Sequence, residues 1–206
     1  MKIDRRHFIS TSFLGLLASN ACKKPQLPPN GDAPGLHSAN ERAISYMIER
    51  QDGDKAKPVP EDFQFQSGDR FRLRFRPGFP AYIYIANRGA DQSSYSILFP
   101  QSSNGDHNPL KTGAEVTLPG HQDWLRFDST PGNENFVVVA STVPLSALDE
   151  AGTKIPRDTF ETHLTEIERE YRPQSSRRFQ DGDWMKFFAA REGDLALVVR
   201  LGLQHQ

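Results

Sequence analysis

A single cysteine, Cys22, serves the whole chain of 206 residues. No internal disulfide can form, and a thiolate metal cluster, which needs several sulfurs, is excluded. Basic charge is also scarce: 25 Lys and Arg stand against 26 Asp and Glu. The first 21 residues hold Lys2, Arg5 and Arg6 against only Asp4, so the remainder is more acidic still. Without a basic excess there is little to displace phosphate counterions, and nucleic acid is not expected as a partner. Long apolar runs are missing too. The most apolar stretch, Phe8 to Ala18, is about eleven residues, roughly 16 Å as a helix against ~30 Å of bilayer hydrocarbon.

Chemistry-bearing motifs are equally sparse. There is no Gly-x-Ser-x-Gly, no Gly-rich phosphate loop and no His-Glu-x-x-His. His37, His107, His121, His163 and His205 are too widely separated to ligate a metal from one element. No cofactor, metal or catalytic residue is therefore assigned.

What is present begins with "MKIDRRHFISTSFLGLLASNAC". A basic stretch, a short apolar run and small residues follow one another, the layout of an export signal over residues 1–21. "DRRHFIS" looks like a twin-arginine export motif through Arg5, Arg6, Phe8 and Ile9, although Asp4 and Ser10 depart from the usual pattern. The general secretory route stays open beside it. "SNAC" resembles a bacterial lipobox ending at Cys22, with Ser19 where Leu is usual. The alternative is ordinary cleavage after Ala21, which would leave an exposed free thiol in an oxidising compartment. Acylated Cys22 is the more economical reading, because two or three acyl chains at ~0.8 kcal/mol per CH2 anchor a protein durably. Lys23, where Asp would favour inner-membrane retention, points to the outer membrane in a host that has one.

Residues 22–61 read as a tether. "KKPQLPPNGDAPG" has the Pro and Gly content of a stiffened spacer. In "SANERAISYMIERQ", Ser38 and Glu41 have capping-box spacing, and Ile44, Met47 and Ile48 share a helical face, predicting a helix over 39–50. "KAKPVPED" reads as a second linker.

From residue 62 the periodicity changes to two. "RFRLRFR" alternates Phe71, Leu73 and Phe75 with Arg70, Arg72, Arg74 and Arg76, a half-buried strand. "AYIYIAN", "SYSILFP", "AEVTLPG", "WLRFD" and "NFVVVAST" follow as further strand candidates, separated by turn residues. The ordered series "GDRFRLRFR", "AYIYIANRG", "ILFPQSSNGDHNPLKTGAEVTLP" and "WLRFDSTPGNENFVVVASTVPL", residues 65–146, resembles the bacterial domain of unknown function 4384 (DUF4384). The resemblance implies an immunoglobulin-like β-sandwich of exported or envelope-associated proteins, and it brings no established catalytic residues. The expected fold is thus mainly β: an antiparallel immunoglobulin-like sandwich over 62–206 with two short peripheral α-helices. The second helix is predicted over 158–172, where Phe160, Leu164, Ile167 and Tyr171 share a face and Pro173 ends the run. It is expected to cover an edge or end of the sandwich. "WMKFFAA" and "LALVVRLGL" then read as a closing β-hairpin over 184–203.

Two constellations invite a ligand. Arg70, Arg72, Arg74 and Arg76 would project from one strand face as a stripe able to bind anionic polysaccharide, lipid headgroups or an acidic partner; the plainer reading pairs them with acids on neighbouring strands. "NGDHNPLKTGAE" places Asn104, Asp106, Asn108 and Glu115 at calcium-loop spacing, but Pro109 occupies the obligatory glycine position. Trp124, Trp184, Phe127 and Phe136 read as core. Together these features describe an exported, lipid-anchored envelope protein acting as a non-catalytic binding module toward an envelope protein or polysaccharide. An accessory subunit docking through its helices is the alternative, and a hydrolase the least supported. Replacing Cys22 by Ser is expected to abolish fatty-acid labelling and release the protein from the membrane fraction. A variant that stays membrane-bound, from a wild type that takes up no label, would sink the lipoprotein reading.

Overall fold

The computed structural model describes residues 41–89, 92–101 and 106–206. Arg5, Arg6, Phe8 and Cys22, with the export signal and the first part of the tether, lie outside the described residues.

In chain order the elements are β1 (Glu41–Asp52), β2 (Lys55–Val59), β3 (Arg70–Pro77), β4 (Tyr82–Arg88), β5 (Ser94–Phe99), β6 (Val116–Leu118), β7 (Leu125–Arg126) and β8 (Gly132–Ser141). Then come α1 (Ser146–Asp149), β9 (Lys154–Pro156), α2 (Arg157–Tyr171), β10 (Ser175–Asp181), β11 (Trp184–Ala190) and β12 (Ala196–His205). They form two antiparallel sheets. The first runs β10-β11-β1-β3-β6, with β2 also on β1 and β7 also on β3; the second runs β12-β8-β4-β5-β9. Alternate residues of both sheets share one core: Ile44, Leu73 and Phe75 from the first, Ile83, Ile85, Val138 and Leu197 from the second. All six strands expected between residues 62 and 145 are present.

The second sheet is covered on its other face as well. Tyr84, Ala86, Val137 and Val139 point away from the first sheet into a second cluster with Phe160, Leu164 and Ile167 of α2. This double burial explains why "YIYIA" and "FVVVA" lack polar alternation: a strand with no wet face reads as a continuous apolar run. Phe160 stacks on Tyr95 at 4.2 Å between ring centroids, and Arg200 of β12 reaches Glu168 at 2.6 Å. The helix therefore covers a sheet face rather than an edge or end. It starts with Pro156 as N-cap and no side-chain cap, while Asp158 in the first turn suits the positive end of the helix dipole.

Three further expectations are corrected. The predicted helix over 39–50 is β1. In its short apolar run Ile44 and Ile48 fit either period, but Tyr46 completes the alternation. β1 also has β3 on one side and β11 and β2 on the other, so sheet pairing overrides local pattern. The linker "KAKPV" is β2, returning along β1 through a two-residue turn with Gly53 at φ 60°, so the sheets begin by residue 41 and the tether does not reach 61. Finally, β11 and β12 do not form a hairpin: β11 pairs with β10 and β1, and β12 with β8 in the other sheet. Both are amphipathic or apolar enough to enter the common core, and β10 supplies the hairpin partner instead.

Among the described residues no helix is long and apolar enough to cross a membrane. Because Leu164 is completely buried, Leu164→Ala is expected to lower unfolding free energy by about 3 kcal/mol. Thr162→Ala, on the exposed side of α2, should cost under ~0.5 kcal/mol. Urea unfolding of the two variants checks the difference.

Candidate binding face

The first sheet has one covered face and one open face, and alternation in β3 sends Arg70, Arg72, Arg74 and Arg76 to the open one. The β1 register sets Glu49 opposite Arg72, Met47 opposite Arg74 and Ser45 opposite Arg76. Glu49 is only 4% exposed. A carboxylate so placed would be costly without partners, and it has two: Arg72 donates from Nε, and Arg74 from Nη1 at 3.2 Å. Glu115, just ahead of β6, accepts Nε and Nη2 of Arg74 at 2.7 and 2.8 Å, a bidentate fork. It also accepts Nε and Nη2 of Arg76 at 2.9 and 2.7 Å.

Electrostatics follow from this geometry. Burial alone would raise the Glu115 carboxyl, but hydrogen bonds from Arg76 and Arg74, with their charges, outweigh it and hold it below the ordinary carboxylate range. Burial likewise opposes the charge on Arg74, and bonds to Glu115 and Glu49 overcome that, raising it. Three guanidiniums share two carboxylates, so the cluster keeps one positive charge in excess. Arg70 is exposed, stands opposite Arg126 of β7, and lies outside the network.

Two tryptophans belong to this face. The Arg72 guanidinium lies 4.7 Å from the Trp124 ring centroid; Arg76 and Arg74 lie 4.2 and 5.5 Å from that of Trp184. These are cation–π distances. Both tryptophans are half-buried, a correction to their reading as core, whereas Phe127 and Phe136 are core at 3% and 2% exposure. The signal was available in "WMKF", where Trp184 has the parity of Lys186 on the polar face. Toward β10 the face continues through Phe188 and Phe179, stacked 5.4 Å apart and nearly parallel, with Arg177 5.3 Å from the Phe188 ring.

Beside the arginines opens a cleft of about 590 Å³, lined among others by His107, Glu115, Thr117, His121 and Asp123. His107 and His121, distant in sequence, are brought to its wall by the approach of the β6 flanks to the segment after β5. The His121 carbonyl accepts Arg72 Nη1 at 2.8 Å, and its Nδ1 lies 3.3 Å from Thr117 Oγ1. The calcium-loop residues are otherwise engaged: Asp106 accepts the Gln101 N–H at 3.1 Å, and Asn108 bonds both backbone groups of Ile83 at 2.9 Å. Asn104 lies outside the described residues. Among those described, no three His, Cys, Asp or Glu side chains group so as to hold a metal.

Residues 64–144, less than half of the chain, match the family model described as a domain of unknown function, DUF4384. No curated protein and no solved structure matches the chain.

The depressed Glu115 carboxyl fixes the sign of a pH effect. A carboxyl whose folded value lies below its unfolded one stabilises the fold above the ordinary carboxylate pKa of about 4.3, and that contribution fades as pH falls through the folded value. With Arg76 44% exposed and the pairs partly screened, Glu115→Gln is expected to cost about 1 kcal/mol at neutral pH. The gap from wild type should close in acid; denaturant unfolding at neutral pH and again below ordinary carboxylate values measures it.

Proposed function

We propose that the chain is an exported cell-envelope protein, anchored through acylated Cys22, whose folded part is a non-catalytic module binding an acidic polysaccharide at the arginine–tryptophan face. Its export would run through the motif at Arg5, Arg6 and Phe8. We read its two packed sheets as an immunoglobulin-like sandwich, as the DUF4384 resemblance suggests.

The observation that carries the reading is the fixed array of Arg72, Arg74 and Arg76. Guanidiniums forked onto Glu49 and Glu115 and laid against indole rings have little rotamer freedom left to lose on binding. Side chains two apart on a strand repeat every ~6.5–7 Å, which suits an extended ligand bearing regularly spaced carboxylates. Glu49 and Glu115 neutralise much of the charge, so affinity would rest on forked contacts and aromatic surface more than on bulk attraction. Docking through the flanking helices has less to recommend it. The predicted first helix is a strand, and the apolar face of α2 is occupied by the second sheet.

The test compares polygalacturonate, as a carboxylate-bearing polysaccharide, with neutral dextran in affinity electrophoresis. Wild type should be retarded by the acidic polymer in a salt-sensitive manner. Arg76→Gln and Trp184→Ala should each weaken retardation about five- to tenfold, roughly 1–1.4 kcal/mol. Equal retardation by both polymers, or indifference to both substitutions, would overturn the proposal.

A further inference from the structure

Strand β10 lies at the edge of the first sheet. All seven of its residues are exposed, and among the described residues it pairs with β11 alone. Phe179, one residue past its midpoint, is 41% exposed. A bare edge of this length is a template for another strand.

Backbone geometry says which groups are on offer. Asp181 and Trp184 pair across the two-residue turn at Gly182, and the pair closing such a turn must be hydrogen-bonded. Alternation then turns the backbone groups of Arg177, Phe179 and Asp181 toward β11, and those of Ser176, Arg178 and Gln180 toward the open edge. Side chains alternate as well. Arg177, Phe179 and Asp181 share the face of Phe188, Lys186 and Trp184, their register partners. Arg178 turns to the opposite side, where it bonds the Glu61 carboxylate and the Tyr46 hydroxyl.

The face sequence Arg177, Phe179, Asp181 is its own complement when read antiparallel. We propose that β10 pairs with β10 of a second copy about a two-fold axis at Phe179. Phe179 then meets the partner's Phe179 as a non-hydrogen-bonded pair, the class with the closest side chains, and Arg178 and the partner's Gln180 exchange backbone bonds. Arg177 stands opposite the partner's Asp181 twice, once on each side of the axis. Asp181 already ion-pairs with Lys186 in its own hairpin, so each carboxylate would sit between two cations. The competing register, centred on Arg178, sets two arginines directly opposite and loses both ion pairs; like charges so placed are destabilising. Side-chain chemistry therefore selects one register and one partner, a second copy.

The edge is short, about 23 Å at ~3.3 Å per residue, so association is concentration-dependent. Sedimentation velocity tests it on the full chain carrying Cys22→Ser, so that no acyl group contributes, over a series reaching near-millimolar protein. Wild-type β10 should give a monomer–dimer equilibrium. Arg177→Asp and Asp181→Arg, each creating two like-charge pairs, should each weaken dimerisation roughly tenfold or more. The first variant is acidic at both positions and the second basic at both. Mixed in equal amounts, they again set an acid opposite a base on each side of the axis and should dimerise, a recovery that misfolding cannot imitate. A wild type monomeric throughout, variants that dimerise as wild type does, or a mixture that stays monomeric would overturn the proposal.

Discussion

Strands β4 and β8 have no wet face. Ile83, Ile85, Phe136, Val138 and Ala140 point toward the first sheet, and Tyr84, Ala86, Val137 and Val139 point away from it. Hydrophobic burial at about 25 cal/mol per Å² makes both coverings necessary. The first sheet supplies one and α2 the other, with Tyr95, Leu145, Leu148 and Ile155 completing the second cluster. The consequence falls on the first sheet. Its strands were free to alternate, with Phe and Leu inward and Arg, Glu, Lys and Trp outward, and no element in the described part of the chain lies over that outer side. The position of the open arginine face follows from where α2 had to go.

On the open face the arginines and glutamates constrain one another. Glu49 is buried within the sheet surface because β1 is a central strand with neighbours on both sides. Burying its charge is tolerable only with Arg72 and Arg74 upon it, since removing one member of such a group leaves the others uncompensated. Glu115 performs the same service at the margin of the sheet for Arg74 and Arg76. The outcome is an ordered surface with a small excess of positive charge, flanked by indoles that shed water from one side of each guanidinium. A ligand proposed for such a surface would be discriminated by geometry more than by long-range attraction, which the near-neutral composition of the chain would weaken anyway.

Much of this was legible from alternation. The parity of "RFRLRFR" places every arginine on one face, and the plainer expectation, acids on neighbouring strands, describes what Glu49 and Glu115 do. The spacing of Phe160, Leu164 and Ile167 locates α2 to within a residue at each end. What escaped did so for physical reasons. β1 carries Ile44 and Ile48 at a spacing that satisfies both periods, Met47 adds to the helical one and Tyr46 to the alternating one, and its partners, far off in sequence, decide between them. β10, "SSRRFQD", has no apolar alternation because neither of its faces is buried, so pattern is silent where the strand is held by backbone pairing to β11 and a few exposed side-chain contacts. His107 and His121 meet at one cleft through long-range contacts that carry no local signature. Residue type alone puts Trp124 and Trp184 in the core, although the parity of Trp184 with Lys186 points outward.

The open face and the open edge are one continuous surface. Phe179 belongs to both: it stacks on Phe188, which begins the aromatic row leading to Trp184 and the arginines, and it stands on the edge strand β10, near its middle. A two-fold axis between antiparallel strands of one sheet stands normal to that sheet, so two copies joined at β10 would present their arginine–tryptophan faces on the same side. An extended polymer crossing the junction would then meet two arrays in succession, and the second contact would form at the effective concentration set by the first. This relates two features that otherwise work against each other. A face whose charges are largely neutralised would bind weakly as a single site, and a short edge would associate weakly in solution. Each would become adequate when the other holds the two copies together on one ligand.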